Sequence, residues 1–120
     1  MPVRLLNSSI MRWPNRQQVH EAFDRWVEQL AATTPTLVAA GYFGSYARGD
    51  FGVGSDLDII IILTESDLAF ERRSNIWDLN SIHVPVEAHV YTSDEWQQLA
   101  SQQTRFYKTL VEETCWLKPL

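Results

Sequence analysis

The chain has 120 residues, of which 45% are hydrophobic and 21% charged, and its formal net charge is −5. This length predicts one domain over residues 1–120, because a second independent core would need more chain. The negative charge argues against bulk binding of nucleic acid, which depends on clustered lysine and arginine. Cys115 is the single cysteine, so the sequence excludes an internal disulfide bond.

The sequence also bears on the compartment in which the protein works. No apolar stretch approaches the roughly 20 residues of a membrane span, and residues 1–8 lack the apolar core of a signal peptide. A lone cysteine fits a reducing environment. We therefore expect a cytoplasmic protein without a membrane partner.

The first third of the chain predicts one helix and one strand. Asn15 and Gln18 have the spacing of a helix cap, and apolar residues then recur at helical intervals as far as Leu30. A turn around Pro35 ends this helix. The apolar run Thr36–Phe43 has the length of a strand.

The next segment, 44–55, contains four glycines. Glycines at this density interrupt regular structure and allow the backbone to approach a ligand closely. The segment therefore predicts a loop or a broken helical turn. From Asp56 the sequence enters a strand that is apolar on both faces, which is typical of the centre of a sheet.

The rest of the chain predicts further helices around one more strand. A ragged apolar stripe indicates a helix over 68–79, and residues 84–91 alternate between a valine-rich face and a polar face. Ser93 is placed to cap another helix, and Leu110 lies in the apolar stripe of a last one. The order α-β-turn-β-α-β-α predicts a small α/β fold with helices packed on a sheet.

Two aspartates open the central strand. Asp56 and Asp58 are two residues apart, so both side chains leave the same face, with their Cα atoms about 6.5 Å apart. Two like charges held together favour a cation between them, and carboxylate oxygens suit Mg²⁺. A pair of solvated aspartates at the start of a strand is the alternative.

A glycine and a serine stand between the preceding strand and the glycine-rich segment. Ten residues separate Ser45 from Asp56, and Gly44 directly follows the strand. A small-residue turn at a strand end exposes N–H groups and a hydroxyl that can hold phosphate oxygens beside a metal. An ordinary strand-turn junction is the alternative, whereas a Walker A loop is excluded because the chain has no Gly-Lys pair.

A third acid, Glu87, lies on the strand predicted over 84–91. It is the one acid of that strand, and it points away from the valine face. Pro85 cannot donate to a sheet ladder, which predicts an edge strand or a strand start. The histidines have no ligand spacing and are expected to be surface or packed residues; they are His20, His83 and His89.

These residues resemble the signature of a known superfamily. Gly-Ser-Tyr-Ala-Arg-Gly at 44–49 and Gly-Ser-Asp-Leu-Asp-Ile at 54–59 are similar to the motif of polymerase-beta-like nucleotidyltransferases, and in particular to their minimal prokaryotic members. The resemblance covers residues 37–91. It implies a fold of class α/β (α+β), with a palm-like core whose mixed sheet is flanked by helices.

The resemblance also implies an activity, the transfer of a nucleoside monophosphate, expected to be AMP from ATP, to an acceptor hydroxyl. Asp56, Asp58 and Glu87 would be the catalytic acids and would share two Mg²⁺ ions, since Glu87 matches the third acid of the family. One ion would neutralise the triphosphate, and the other would lower the pKa of the attacking hydroxyl. Gly44 and Ser45 would hold the β and γ phosphates.

Two more residues are candidates for nucleotide binding. Ser55 and Arg48 both belong to the matching motif, and Arg48 is the cation nearest to the predicted site. The Arg48 guanidinium is expected to contact the triphosphate. An ordinary surface arginine is the alternative.

The resemblance finally implies a partner. Minimal nucleotidyltransferases commonly pair with a small helical HEPN protein, a ribonuclease toxin, and act as its antitoxin by adenylylating a tyrosine or by masking its site. We expect a protein acceptor to bind the segment after Tyr91, where aromatic side chains should be exposed. These include Trp96, Phe106, Tyr107 and Trp116, with Leu117 beside them. A non-catalytic antitoxin and a transferase acting on a small molecule such as an aminoglycoside are the alternatives.

Overall fold

The computed structural model describes residues 13–119, which form a mixed four-stranded sheet with helices on both faces. Its elements are α1 (Arg16–Thr33), β1 (Leu37–Phe43), the short helix α2 (Ser45–Arg48), β2 (Leu57–Leu63), two 3-10 helices (Phe70–Ile76 and Asn80–Ile82), β3 (Val86–Thr92), α3 (Ser93–Gln102), α4 (Arg105–Glu113) and β4 (Cys115–Lys118). The expected fold class is confirmed. None of the helices in the described part of the chain has both the length and the hydrophobicity of a membrane span.

The strands lie in the order β3-β2-β1-β4. β1 runs antiparallel to β2 and to β4, whereas β2 and β3 are parallel. β3 therefore forms an edge, as Pro85 predicts, and the Pro85 carbonyl still accepts a hydrogen bond from Leu57 N at 2.8 Å. β1 and β2 share the middle of the sheet.

The side chains of β2 divide between two cores because successive residues of a strand point to opposite faces. Ile59 and Ile61 pack in the core that contains α1, whereas Ile60 and Ile62 pack with α3 and α4. All four isoleucines are fully buried. Asp58 alternates in step with Ile60 and Ile62, so its carboxylate lies on the face that α3 and α4 cover.

Helix α1 begins where the sequence predicts. Asn15 Oδ1 accepts a hydrogen bond from Gln18 N at 2.8 Å, and Gln18 Oε1 accepts one from Asn15 N at 2.9 Å. This reciprocal pair is a capping box. The predicted apolar stripe is buried and comprises Val19, Ala22, Phe23, Trp26, Val27 and Leu30.

The helix predicted over 68–79 is wrong. The segment contains a 3-10 helix at Phe70–Ile76, and a second short one follows at Asn80–Ile82. Leu68 and Ile76, which belong to the predicted stripe, are exposed. Because that stripe buries little apolar surface, tertiary packing does not hold a longer α-helix here.

Arg73 fixes this segment to the sheet. Its buried guanidinium donates to the carbonyl oxygens of Leu68 at 3.0 Å and of Val90 at 2.9 Å, and it binds both carboxylate oxygens of Glu95. Glu95 also closes the capping box of α3 with Thr92, which caps the helix in place of the predicted Ser93. One ion pair therefore joins the 3-10 segment, β3 and α3.

Strand β4 has no counterpart among the predicted elements. It pairs with β1 beside Gly41, where an added Cβ would lie 2.7 Å from the Cys115 carbonyl oxygen. Trp116 and Leu117 pack against the two cores, so the expectation that they lie exposed near a fraying end is wrong. Among the predicted exposed aromatic residues, Phe106 is 41% exposed and Trp96 only 7%.

Replacing Arg73 with alanine should lower the free energy of unfolding by about 2 kcal/mol, because the Val90 carbonyl and the Glu95 carboxylate lose a buried donor. Urea unfolding followed by circular dichroism measures this loss. Arg72→Ala, at the exposed neighbouring residue, is the control and should change stability by less than about 0.5 kcal/mol. Equal stability of the two variants would contradict the anchoring role of Arg73.

Candidate active site

The candidate site lies where β1 ends and where β2 and β3 begin. Phe43, Asp58 and Glu87 stand side by side across these three strands. Because Asp58 and Glu87 are direct partners on parallel strands, their side chains leave the same face of the sheet. The structure thus brings together two of the three acids that the sequence singled out.

The Asp58 carboxyl group is strongly influenced by its surroundings. Burial, together with the negative charges of Glu87 and Asp56, raises the pKa of Asp58 to about 6. A hydrogen bond with the Glu87 carboxyl group also favours the protonated form. The crowding of like charges is relieved either by a proton or by a cation.

His89 lies two residues after Glu87, on the same face of β3. Asp58, Glu87 and His89 each offer one ligand atom, and these atoms all lie within 4.8 Å of one another. The His89 ring packs on Phe43, with 5.2 Å between the ring centroids. Burial lowers the pKa of His89, although the charge of Glu87 acts in the opposite direction.

Asp56 stands at the edge of this group. It precedes β2 and is exposed, and the three clustered ligand atoms do not include one from its carboxylate. Its charge nevertheless acts on Asp58. The sequence therefore ranked Asp56 above His89, whereas the geometry groups His89 with Asp58 and Glu87.

Gly44 connects the glycine-rich loop to the carboxylates. Its φ of +78° favours glycine, and a Cβ at this position would collide with Asp58 Oδ2. Any other residue would be strained and would push the Asp58 carboxylate aside. Gly44 is thus required by both the backbone turn and the close approach to Asp58.

The short helix α2 is held in place by Trp13, by Phe51 and by Arg16, the first residue of α1. The Tyr46 ring is buried and stacks on Phe51 at 4.3 Å, and its hydroxyl accepts a hydrogen bond from Trp13 Nε1 at 2.9 Å. Arg16 Nε donates to the Tyr46 carbonyl oxygen at 2.8 Å. These contacts fix the residues that follow Gly44 against the body of the fold.

The two serines occupy different places in the loop. Ser45 begins α2, and its carbonyl oxygen accepts hydrogen bonds from Gly49 N at 2.8 Å and Asp50 N at 3.1 Å. Ser55 Oγ accepts from Gly52 N at 2.9 Å, while Ser55 N donates to the Gly52 carbonyl at 3.0 Å. Ser55 therefore closes a turn within the loop.

Glu113, at the end of α4, reaches into the loop. Its Oε1 atom accepts a hydrogen bond from Gly44 N at 2.7 Å and another from Arg48 Nη1 at 2.9 Å. Arg48 Nε also pairs with Asp50 at 3.0 Å. The Glu113 carboxylate thus binds the Gly44 N–H and the Arg48 guanidinium, both of which the sequence analysis expected to bind phosphate.

Sequence reasoning missed Glu113 and expected His89 to be a surface or packed residue. The alternation that puts His89 on the face of Glu87 was visible in the sequence and gave a usable signal. Glu113 gave none, because 65 residues separate it from Arg48 and only the folded chain brings them together.

Comparison with known proteins identifies related domains. The family model of the nucleotidyltransferase domain matches residues 25–116, which is most of the chain. Among the curated proteins, no sequence matches.

Three solved structures share the fold. A candidate nucleotidyltransferase from Sulfolobus solfataricus has a TM-score of 0.58 and 20% identity over 84% of this chain and 80% of its own. A toxin–antitoxin with AMP-PNP has a TM-score of 0.52 and 20% identity over 89% of this chain and 75% of its own. A mutant of the toxin–antitoxin MntA-HpeT has a TM-score of 0.52 and 18% identity over 81% of this chain and 72% of its own.

Asp58→Asn should stabilise the metal-free protein at high pH. The pKa of Asp58 rises from its ordinary value of 3.8 to about 6 on folding, so the folded chain binds more protons in this window and loses stability as the pH rises through it. Asparagine removes that loss. We expect a gain of about 1 kcal/mol near pH 8, after allowance for solvent screening, and little gain near pH 4.

Thermal unfolding in excess EDTA at the two pH values measures this difference. Asp67→Asn, at an exposed position, is the matched control and should show no such pH-dependent gain. A loss of stability in Asp58→Asn at high pH would contradict the electrostatic account.

Proposed function

Because the chain belongs to the nucleotidyltransferase domain family, we propose that it transfers AMP from ATP to a hydroxyl group on a protein partner. The observation that carries this proposal is the contact between the glycine turn and the paired acids. An added Cβ on Gly44 would strike the carboxylate of Asp58, and Asp58 pairs in register with Glu87. A phosphate held at Gly44 would therefore lie beside the carboxylates.

The donor set fits divalent cations. Asp58 and Glu87 would hold one ion between them, and Asp56 at the edge would help Asp58 to hold a second. Two Mg²⁺ ions, when bound, neutralise the triphosphate and make the attacking hydroxyl more acidic. The exposed carboxylate of Glu87 would accept the proton of that hydroxyl.

The glycine turn would act on the phosphates. Gly44 N–H and the Ser45 hydroxyl would donate to the β and γ phosphates and so stabilise the pyrophosphate as its negative charge develops. Ser55, which closes the loop turn, would keep the loop in the shape that receives the nucleotide. Because Trp13 and Arg16 anchor Tyr46, the backbone of α2 would need little reorganisation on binding.

Glu113 must leave its place when the nucleotide binds. Its carboxylate accepts a hydrogen bond from the same Gly44 N–H that a phosphate would use, and the two anions repel each other. Its departure frees Arg48, which then contacts the triphosphate. The Glu113 carboxylate thus keeps the donors paired in the absence of ATP.

The acceptor is a tyrosine of a small helical HEPN toxin, and the transfer makes this chain its antitoxin. Two toxin–antitoxin structures, one of them with AMP-PNP, share the fold and support a toxin partner and a nucleotide substrate. Phe106 and Val111 are exposed on α4, and the Phe106 ring lies 6.4 Å from that of His89. A partner docked on α4 would bring its hydroxyl close to the acids.

Incubation with α-labelled ATP, Mg²⁺ and the product of the neighbouring gene tests this function. Label should appear on a tyrosine of the partner, as located by mass spectrometry, and Asp58→Asn should reduce it at least ~100-fold because the cation loses a ligand. Asp67→Asn, with its exposed carboxylate, is the control and should label normally.

Undiminished labelling by Asp58→Asn, or in excess EDTA, would overturn the assignment of the acids. An inhibited partner without any added nucleotide would instead favour a non-catalytic antitoxin. Labelling of an aminoglycoside instead of the partner would support the transferase activity and contradict the protein acceptor.

Glu113→Gln should bind a non-hydrolysable ATP analogue about 10-fold more tightly, equivalent to about 1.4 kcal/mol. A neutral amide competes less with the triphosphate for Gly44 N–H and Arg48, and it does not repel the incoming anion. Titration calorimetry measures the change. Glu112→Gln, at the exposed neighbouring residue, is the control and should leave the affinity unchanged. Weaker binding by Glu113→Gln would contradict the displacement.

A further inference from the structure

We propose that His89 is a direct ligand of the metal at Asp58 and Glu87, and that it makes this site prefer Mn²⁺ to Mg²⁺. The inference rests on the proposed function, which places a divalent cation at the two carboxylates. It adds a nitrogen donor to a site that the sequence predicts to be made of oxygen donors alone.

The positions of the ligand atoms carry the inference. One atom each from Asp58, Glu87 and His89 lies within 4.8 Å of the other two. Ligands about 2.1 Å from a common ion lie up to about 4.2 Å apart, so small side-chain rotations are enough to close the set. Asp56, which the sequence favoured as a ligand of the same ion, lies outside this group.

The backbone and two aromatic rings hold the imidazole in place. Glu87 and His89 are alternate residues of β3, so both side chains project from one face of the strand. The His89 ring packs on Phe43 at 5.2 Å and lies 6.4 Å from Phe106. These contacts restrict the ring to the side of the sheet on which the carboxylates lie.

A histidine ligand changes which ion the site favours. Imidazole suits first-row transition metals, whereas Mg²⁺ prefers a shell of oxygen atoms and dehydrates reluctantly. Mn²⁺ accepts carboxylate, water and phosphate oxygens as well as an imidazole nitrogen. Three protein ligands leave open positions that triphosphate oxygens can occupy.

Electron paramagnetic resonance of Mn²⁺ bound to the full chain tests this inference. Pulsed measurements should detect coupling of the manganese electron spins to a directly bound ¹⁴N nucleus, and His89→Gln should abolish that coupling. The same variant should weaken Mn²⁺ binding about 10-fold or more, while Mg²⁺ binding, measured by competition, changes less than about 2-fold. His83→Asn is the control for loss of a histidine and should retain the coupling.

The outcomes separate this inference from the function on which it rests. Mn²⁺ that binds the parent protein, is lost in Asp58→Asn and shows no ¹⁴N coupling would overturn ligation by His89 and leave the proposed function intact. A parent protein that binds neither Mn²⁺ nor Mg²⁺ would overturn both. The coupling is read on the parent protein, so the test does not depend on whether His89→Gln folds.

Discussion

The proposed site depends on the alignment of Asp58 with Glu87 on two parallel strands. That register forces two carboxyl groups together at one end of the sheet, and burial and mutual repulsion raise the pKa of Asp58 to about 6. The arrangement works against folding in the absence of a cation. The fully buried isoleucines of β2 stabilise the strand and so maintain the pairing of the two acids.

The phosphate side of the proposed site depends on a second constraint, the absence of a side chain at Gly44. The turn brings the Gly44 Cα close to the Asp58 carboxylate, and contacts of Tyr46 with Trp13 and Arg16 hold the short helix α2 that follows. The Glu113 carboxylate, 69 residues further along the chain, accepts the hydrogen bond from the Gly44 N–H. Under the proposed function, nucleotide binding would exchange one anion for another at this position, and Arg48 would change partners.

The sequence predicted those parts of the fold and candidate site that local patterns determine. Strand alternation put Glu87 on the polar face of its strand, and the resemblance to polymerase-beta-like nucleotidyltransferases paired it with Asp58. The cap of α1 followed from Asn15 and Gln18. Prediction from the sequence failed where long-range contacts decide the structure. Strand β4 forms because Gly41 leaves room for it, and a buried Arg73 replaces the packing that a helix over 68–79 would have needed.

Under the proposed function, a divalent cation held by Asp58 and Glu87 and the triphosphate of ATP meet between the glycine turn and the paired acids. A crystal structure with a non-hydrolysable ATP analogue and Mn²⁺, located by its anomalous scattering, tests it most directly. We expect a manganese peak between the carboxylates of Asp58 and Glu87, and a phosphate oxygen on Gly44 N where Glu113 now lies. Manganese bound elsewhere, or a nucleotide that leaves Glu113 on Gly44, would contradict it.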